Sequence, residues 1–98
     1  MILEQATLDV RPGQTDDFER AFSRAKTIIS AMPGFQRLTL SRCVERPTAY
    51  LLLVQWDTLE DHTVGFRGSP QYLEWQQLLH HFYDPFPTVV HYREVTTA

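Results

Sequence analysis

The chain has 98 residues, enough for one hydrophobic core and too few for two, and 43 % of them are apolar against 21 % charged, which is ordinary globular usage and argues against disorder. Its net charge of −3, with no run of Lys or Arg, lacks the basic footprint that binding a phosphate backbone demands, so nucleic acid is excluded as a partner. No apolar run approaches the roughly 20 residues of a spanning helix and no basic leader precedes the first alternating segment, so the expectation is a cytoplasmic protein without a membrane partner. The single Cys43 allows no disulfide within the chain and no thiolate metal cluster.

Residues 2–10 alternate, with Glu4, Ala6, Leu8 and Val10 on one side and Leu3, Gln5, Thr7 and Asp9 on the other, which predicts a strand. Arg11-Pro12-Gly13-Gln14 breaks it, and Thr15 or Asp16 is suited to cap the helix that follows. Phe18, Ala21, Phe22, Ala25, Ile28, Ile29 and Met32 then recur at helical spacing as one apolar stripe. Pro33-Gly34 ends that helix, and residues 35–43 read as a second strand with Leu38 and Leu40 on one face and Arg37, Thr39 and Ser41 on the other. After a turn, residues 49–56 form a third strand that is apolar on both faces.

Thr58 and Asp61 form a capping pair that opens a short helix, and Ser69-Pro70 starts another, with Ser as cap and Pro at the first helical position. Tyr72, Trp75, Leu79 and Phe82 make its inner stripe, Asp84-Pro85-Phe86-Pro87 closes it, and residues 88–95 alternate as a fourth strand. The predicted fold is therefore a single α+β domain over residues 1–98. It has a ferredoxin-like βαββαβ order and a four-stranded antiparallel sheet with both helices on one face. The other face stays open, so a second copy should cover it and form a homodimer, leaving a partly polar cavity around Arg37, Thr39 and His91.

Three side chains are candidates for chemistry. His62 falls on the inward stripe with Leu59 and Phe66, where burial would keep the imidazole neutral and fit it to act as a general base. His91 alternates with Val89 and Arg93; the alternation leaves its register open, and if it shares a sheet face with Arg37 the two would hold an enolate or phenolate oxygen. Trp56, Phe66, Tyr72, Trp75 and Phe82, together with Thr39, are candidate walls of a pocket for a flat aromatic compound. His80 and His81 are adjacent on a helix, about 100° apart, and so cannot ligate one ion together; no metal motif and no glycine-rich phosphate loop occurs.

The stretch Trp56-Asp57-Thr58-Leu59-Glu60-Asp61-His62, followed by Phe66-Arg67-Gly68-Ser69-Pro70-Gln71-Tyr72 and Trp75, resembles the antibiotic biosynthesis monooxygenase (ABM) family, and length and element order agree over nearly the whole chain. The resemblance implies a dimeric α/β barrel and, as in some members, oxidation of a phenolic or quinol compound by O2 without metal or flavin. The substrate anion itself then reduces O2, and no cofactor is implied. Haem-degrading relatives carry an Asn on the first strand and a His on the late helix, where this chain has Glu4 or Gln5 and Trp75, so haem degradation is disfavoured. Two other functions suit the same residues: a non-catalytic module that binds a small molecule, and a cyclase, isomerase or decarboxylase needing the same base and anion stabiliser.

Overall fold

The computed structural model describes residues 1–98. Strand β1 (Ile2–Asp9) leads to helix α1 (Thr15–Ile29), which is followed by β2 (Phe35–Arg42) and β3 (Ala49–Trp56). A π-helical turn (Asp61–Phe66), helix α2 (Pro70–Leu79) and a 3-10 turn (His80–Phe82) precede the short β4 (Val89–Tyr92). The sheet is antiparallel throughout, in the order β2-β3-β1-β4, so β2 and β4 are opposite edges and the sheet of one chain is open, not a closed barrel. This is the ferredoxin-like α+β arrangement that the order of elements predicts.

Amphipathic periodicity decides what each helix buries. Phe18, Phe22, Ala25 and Ile29 of α1 are buried and join Trp75 and Leu79 of α2 and Ala6, Leu8, Leu52, Val54 and Trp56 of the sheet in one core. Its centre is aromatic: Phe18 meets Tyr50 edge-on at 4.9 Å between ring centroids and Phe22 meets Trp75 edge-on at 5.7 Å. The opposite sheet face has no layer over it, and Leu51, Val90 and Tyr92 are exposed there.

Local signals perform unevenly. The Thr58–Asp61 pair caps reciprocally as predicted, Thr58 N–H donating to Asp61 Oδ2 at 3.2 Å and Asp61 N–H to Thr58 Oγ1 at 3.1 Å. Ser69 caps α2 by accepting from the Tyr72 N–H at 3.2 Å, with Pro70 in the first turn. At α1 the expectation fails: Gln14 occupies the cap position and no side chain accepts there, so Thr15 and Asp16 lie inside the first turn. The last strand is also shorter than the predicted 88–95. Tyr92 pairs with Leu3, so a strand continuing past it would run off the beginning of β1.

Candidate active site

Register decides which side chains share a face. Glu4 lies opposite Val54 of β3 and opposite His91 of β4, and Val54 lies opposite Leu38 of β2, so these four point to the helix side. Arg37 lies opposite Gln55, Gln55 opposite Leu3, and Leu3 opposite Tyr92; all four therefore point to the open side. The predicted common face of Arg37 and His91 does not form. The two residues stand on opposite faces and on opposite edge strands. Thr39 follows Arg37, and both line a shallow depression with Leu3, Leu53 and Gln55.

On the helix side a cavity of about 360 Å³ lies between the sheet and α2. Phe66, Tyr72, Trp75, Tyr83 and Phe86 supply aromatic walls, Ala6, Leu8 and Leu52 the floor, and Glu4, His62 and Arg67 the polar groups. His80 lines it as well, its ring edge-on to Phe86 at 4.9 Å. A cleft with mostly apolar walls and a few convergent polar groups is the usual form of a small-molecule site. Of the predicted walls, Phe66, Tyr72 and Trp75 line the cavity. Trp56 is fully buried behind His62, and Phe82 packs in the core against Phe18 at 5.6 Å.

The polar end is built on four elements. Glu4 Oε1 on β1 accepts from the indole N–H of Trp56 on β3 at 2.9 Å and lies 3.3 Å from Nε2 of His62 in the π-helical turn. His62 Nδ1 is 2.7 Å from Nε2 of His91 on β4, a residue that does not line the cavity. The His62 ring lies almost parallel to the indole of Trp56, at 19° and 5.5 Å, which fixes its plane. Glu4 and His62 are only 5 % and 3 % exposed, so their mutual contacts satisfy groups that water does not reach. The three residues stand in a line and not around a shared point.

Burial foremost, with the charges of Arg67 and His91 acting in the same direction, lowers the His62 pKa to about 3. Burial raises the Glu4 carboxyl above its ordinary value, against the Trp56 hydrogen bond and the Arg67 charge. The His91 value is lowered by burial and by Arg67. With both imidazoles neutral and Glu4 ionised, one proton arrangement suits both contacts: the His62 proton on Nε2, beside Glu4 Oε1 at 3.3 Å, leaves His62 Nδ1 to accept from His91 Nε2–H.

A depressed histidine makes the fold sensitive to acid. The stability it confers is complete above its unfolded pKa of 6.5 and is lost as pH falls towards about 3, at about 1.4 kcal/mol per pH unit for one such group. Glu4 opposes this, because its raised value contributes stability that is lost as pH rises through it. His80 and His91, also lowered, add to the histidine side. Urea midpoints should therefore drop between about pH 6.5 and pH 5, and the slope should flatten in His62→Gln; a midpoint independent of pH there would contradict a neutral buried His62.

Sequence reasoning pointed to His62 and His91 and missed Glu4 and Arg67. Glu4 carried a legible signal, because it is the charged residue on the side of β1 otherwise occupied by Ala6, Leu8 and Val10. Arg67 carried none.

Comparison with known proteins agrees with this architecture. Residues 1–78 match the family model for antibiotic biosynthesis monooxygenase. An uncharacterised protein of Bacillus subtilis (strain 168), YczJ, is 54 % identical over 95 residues, covering 97 % of this chain and all of that protein. A proposed antibiotic biosynthesis monooxygenase of Bordetella bronchiseptica superposes with a TM-score of 0.92 at 34 % identity, covering 97 % of both chains. SnoaB, a cofactor-independent oxygenase from Streptomyces nogalater, shares the fold at a TM-score of 0.78 and 21 % identity, over 98 % of this chain and 94 % of its own. With the family model spanning most of its length and a solved relative matching it nearly end to end, the chain belongs to the antibiotic biosynthesis monooxygenase family.

Proposed function

We propose that this protein oxidises a small phenolic or quinol-like aromatic compound with O2, without a cofactor, in the cavity between its sheet and α2. The observation that carries this reading is the buried Glu4–His62 pair at the polar end of a cavity with aromatic walls. An aromatic ring stacks against Phe66, Tyr72 and Trp75, and its hydroxyl faces Glu4, with His62 orienting the carboxylate. Loss of the phenolic proton to that pair leaves an electron-rich anion, which transfers electrons to O2. Arg67, a cation on the cavity wall, takes the anion-stabilising role first assigned to Arg37. O2 bonds to a ring carbon and takes back the proton as a hydroperoxide. That carbon then loses its hydrogen as the O–O bond breaks, leaving a carbonyl, and the outer oxygen departs with the two hydrogens as water, so the substrate supplies all the electrons and no external reductant is required. The family membership and the cofactor-independent activity of SnoaB, a protein of the same fold, support the reaction class.

The direct test is an oxygen electrode with a panel of hydroquinones and anthrones. O2 uptake above the autoxidation rate, matched by formation of an oxygenated product, is the expected result. Compounds that bind and stay unchanged under air would replace this reading with a binding module.

A second copy of the chain covers the open face in this proposal, shielding Leu51, Val90 and Tyr92. Light scattering should then give twice the mass of one chain, and Leu51→Glu should halve it. A wild-type mass of one chain would exclude the dimer.

A further inference from the structure

The proposed chemistry places a carboxylate that must change protonation state at the inner end of a cavity that a ligand would fill. With a ligand in the cavity Glu4 keeps no direct path to water, being 5 % exposed and flanked on its other sides by Trp56, His62 and the strands on either side of β1. A line of titratable groups leads away from it, by the 3.3 Å contact with His62 and then the hydrogen bond from His62 to His91, which is partly exposed, lies on the edge strand β4 and stands outside the cavity.

We propose that His62 and His91 form a two-imidazole proton wire joining Glu4 to bulk water beyond β4, so that the carboxylate exchanges protons with solvent while a ligand occupies the cavity. This rests on the reading of Glu4 as the acid–base group of that cavity. The 2.7 Å separation between His62 Nδ1 and His91 Nε2 is a short contact that one hydrogen must bridge, and the 3.3 Å contact with Glu4 continues the line through the opposite nitrogen of the same ring. Each imidazole therefore receives on one nitrogen and gives from the other, as hopping requires. A proton arriving from water bonds to His91 Nδ1, the His91 Nε2 proton passes to His62 Nδ1, and the His62 Nε2 proton passes to Glu4. Each step forms one bond to hydrogen and breaks one, both rings end neutral, and the reverse sequence empties Glu4. Arg67, whose charge reaches all three groups, disfavours a cationic imidazole resting on the path, so the proton passes through and is not held there.

The wire is testable without any turnover. In ligand-free protein with ring-15N histidine, NMR should show a coupling across the hydrogen bond between His62 Nδ1 and His91 Nε2. The His62 Nε2 proton, although buried, should exchange with water. In His91→Gln the amide still donates to His62 Nδ1 and holds the ring, but an amide does not relay a proton, so this exchange should slow by about 10²-fold, the lower range for a positioned proton-transfer group. An exchange rate unchanged in His91→Gln, or no coupling between the rings, overturns the wire. Absence of O2 uptake in the oxygen-electrode test would instead remove the proposed function and leave the exchange result standing, so the two failures are separable.

Discussion

Glu4→Gln is expected to abolish most aromatic oxidation while leaving the protein folded. The amide oxygen can occupy the place of Glu4 Oε1 and still accept from Trp56 Nε1–H and His62 Nε2–H, so both buried donors keep a partner. The substitution also removes a carboxylate whose ionised form is penalised by burial, so stability should stay within about 1 kcal/mol of wild type. An amide, however, does not take up a phenolic proton. Turnover of a hydroquinone should fall by about 10² to 10⁴-fold, the usual contribution of a positioned acid–base group. Steady-state O2 uptake and a urea titration on the same preparation check both halves. Wild-type turnover in this variant would move proton acceptance away from Glu4, whereas loss of folding would show that the charge itself holds the site together.

Trp56→Ala should have the largest effect on stability. The indole is fully buried, stacks on His62, stands perpendicular to the Phe35 ring at 6.0 Å between centroids and donates the hydrogen bond to Glu4. Emptying such a site costs about 3–5 kcal/mol, and loss of the indole donor to the buried Glu4 carboxylate adds to it. Against a total of about 5–15 kcal/mol for a domain of this kind, a large part of the folding free energy disappears. Trp56→Phe separates the two causes, since it keeps most of the volume and loses the N–H; about 1.5–3 kcal/mol is expected from a hydrogen bond to a charged group. Urea midpoints for the three proteins measure the series. A cost below about 1 kcal/mol for Trp56→Ala would mean that the site collapses around the gap, contrary to the close packing typical of cores.

The two variants probe different links. Trp56 supports the site from behind, whereas Glu4 faces the cavity. Their contrast shows why an aromatic cluster near a polar group is a weak guide to a pocket: Trp56, Phe66, Tyr72, Trp75 and Phe82 all carry the same sequence signature, yet three line the cavity and two serve the core.

What the sequence by itself determined is local. Alternation defined the strands and the inner side of β1, helical spacing selected the buried stripe of α1, and the side chains of Thr58, Asp61 and Ser69 marked two helix starts, because each signal acts within a few residues of chain. The element order then restricted the topology to the one observed. The site lay beyond that range. A period of two states which residues of one strand share a side, but not which side of a distant strand they join. Pairing of Glu4 with His91, 87 positions apart, comes from β1 taking the centre of the sheet and β4 its edge. The same register sent Arg37 to the open face and left Arg67, on a turn with no periodic signal, as the cation of the cavity. Tertiary structure decided the line of Glu4, His62 and His91 because its three members come from separate elements and meet only when the sheet is assembled.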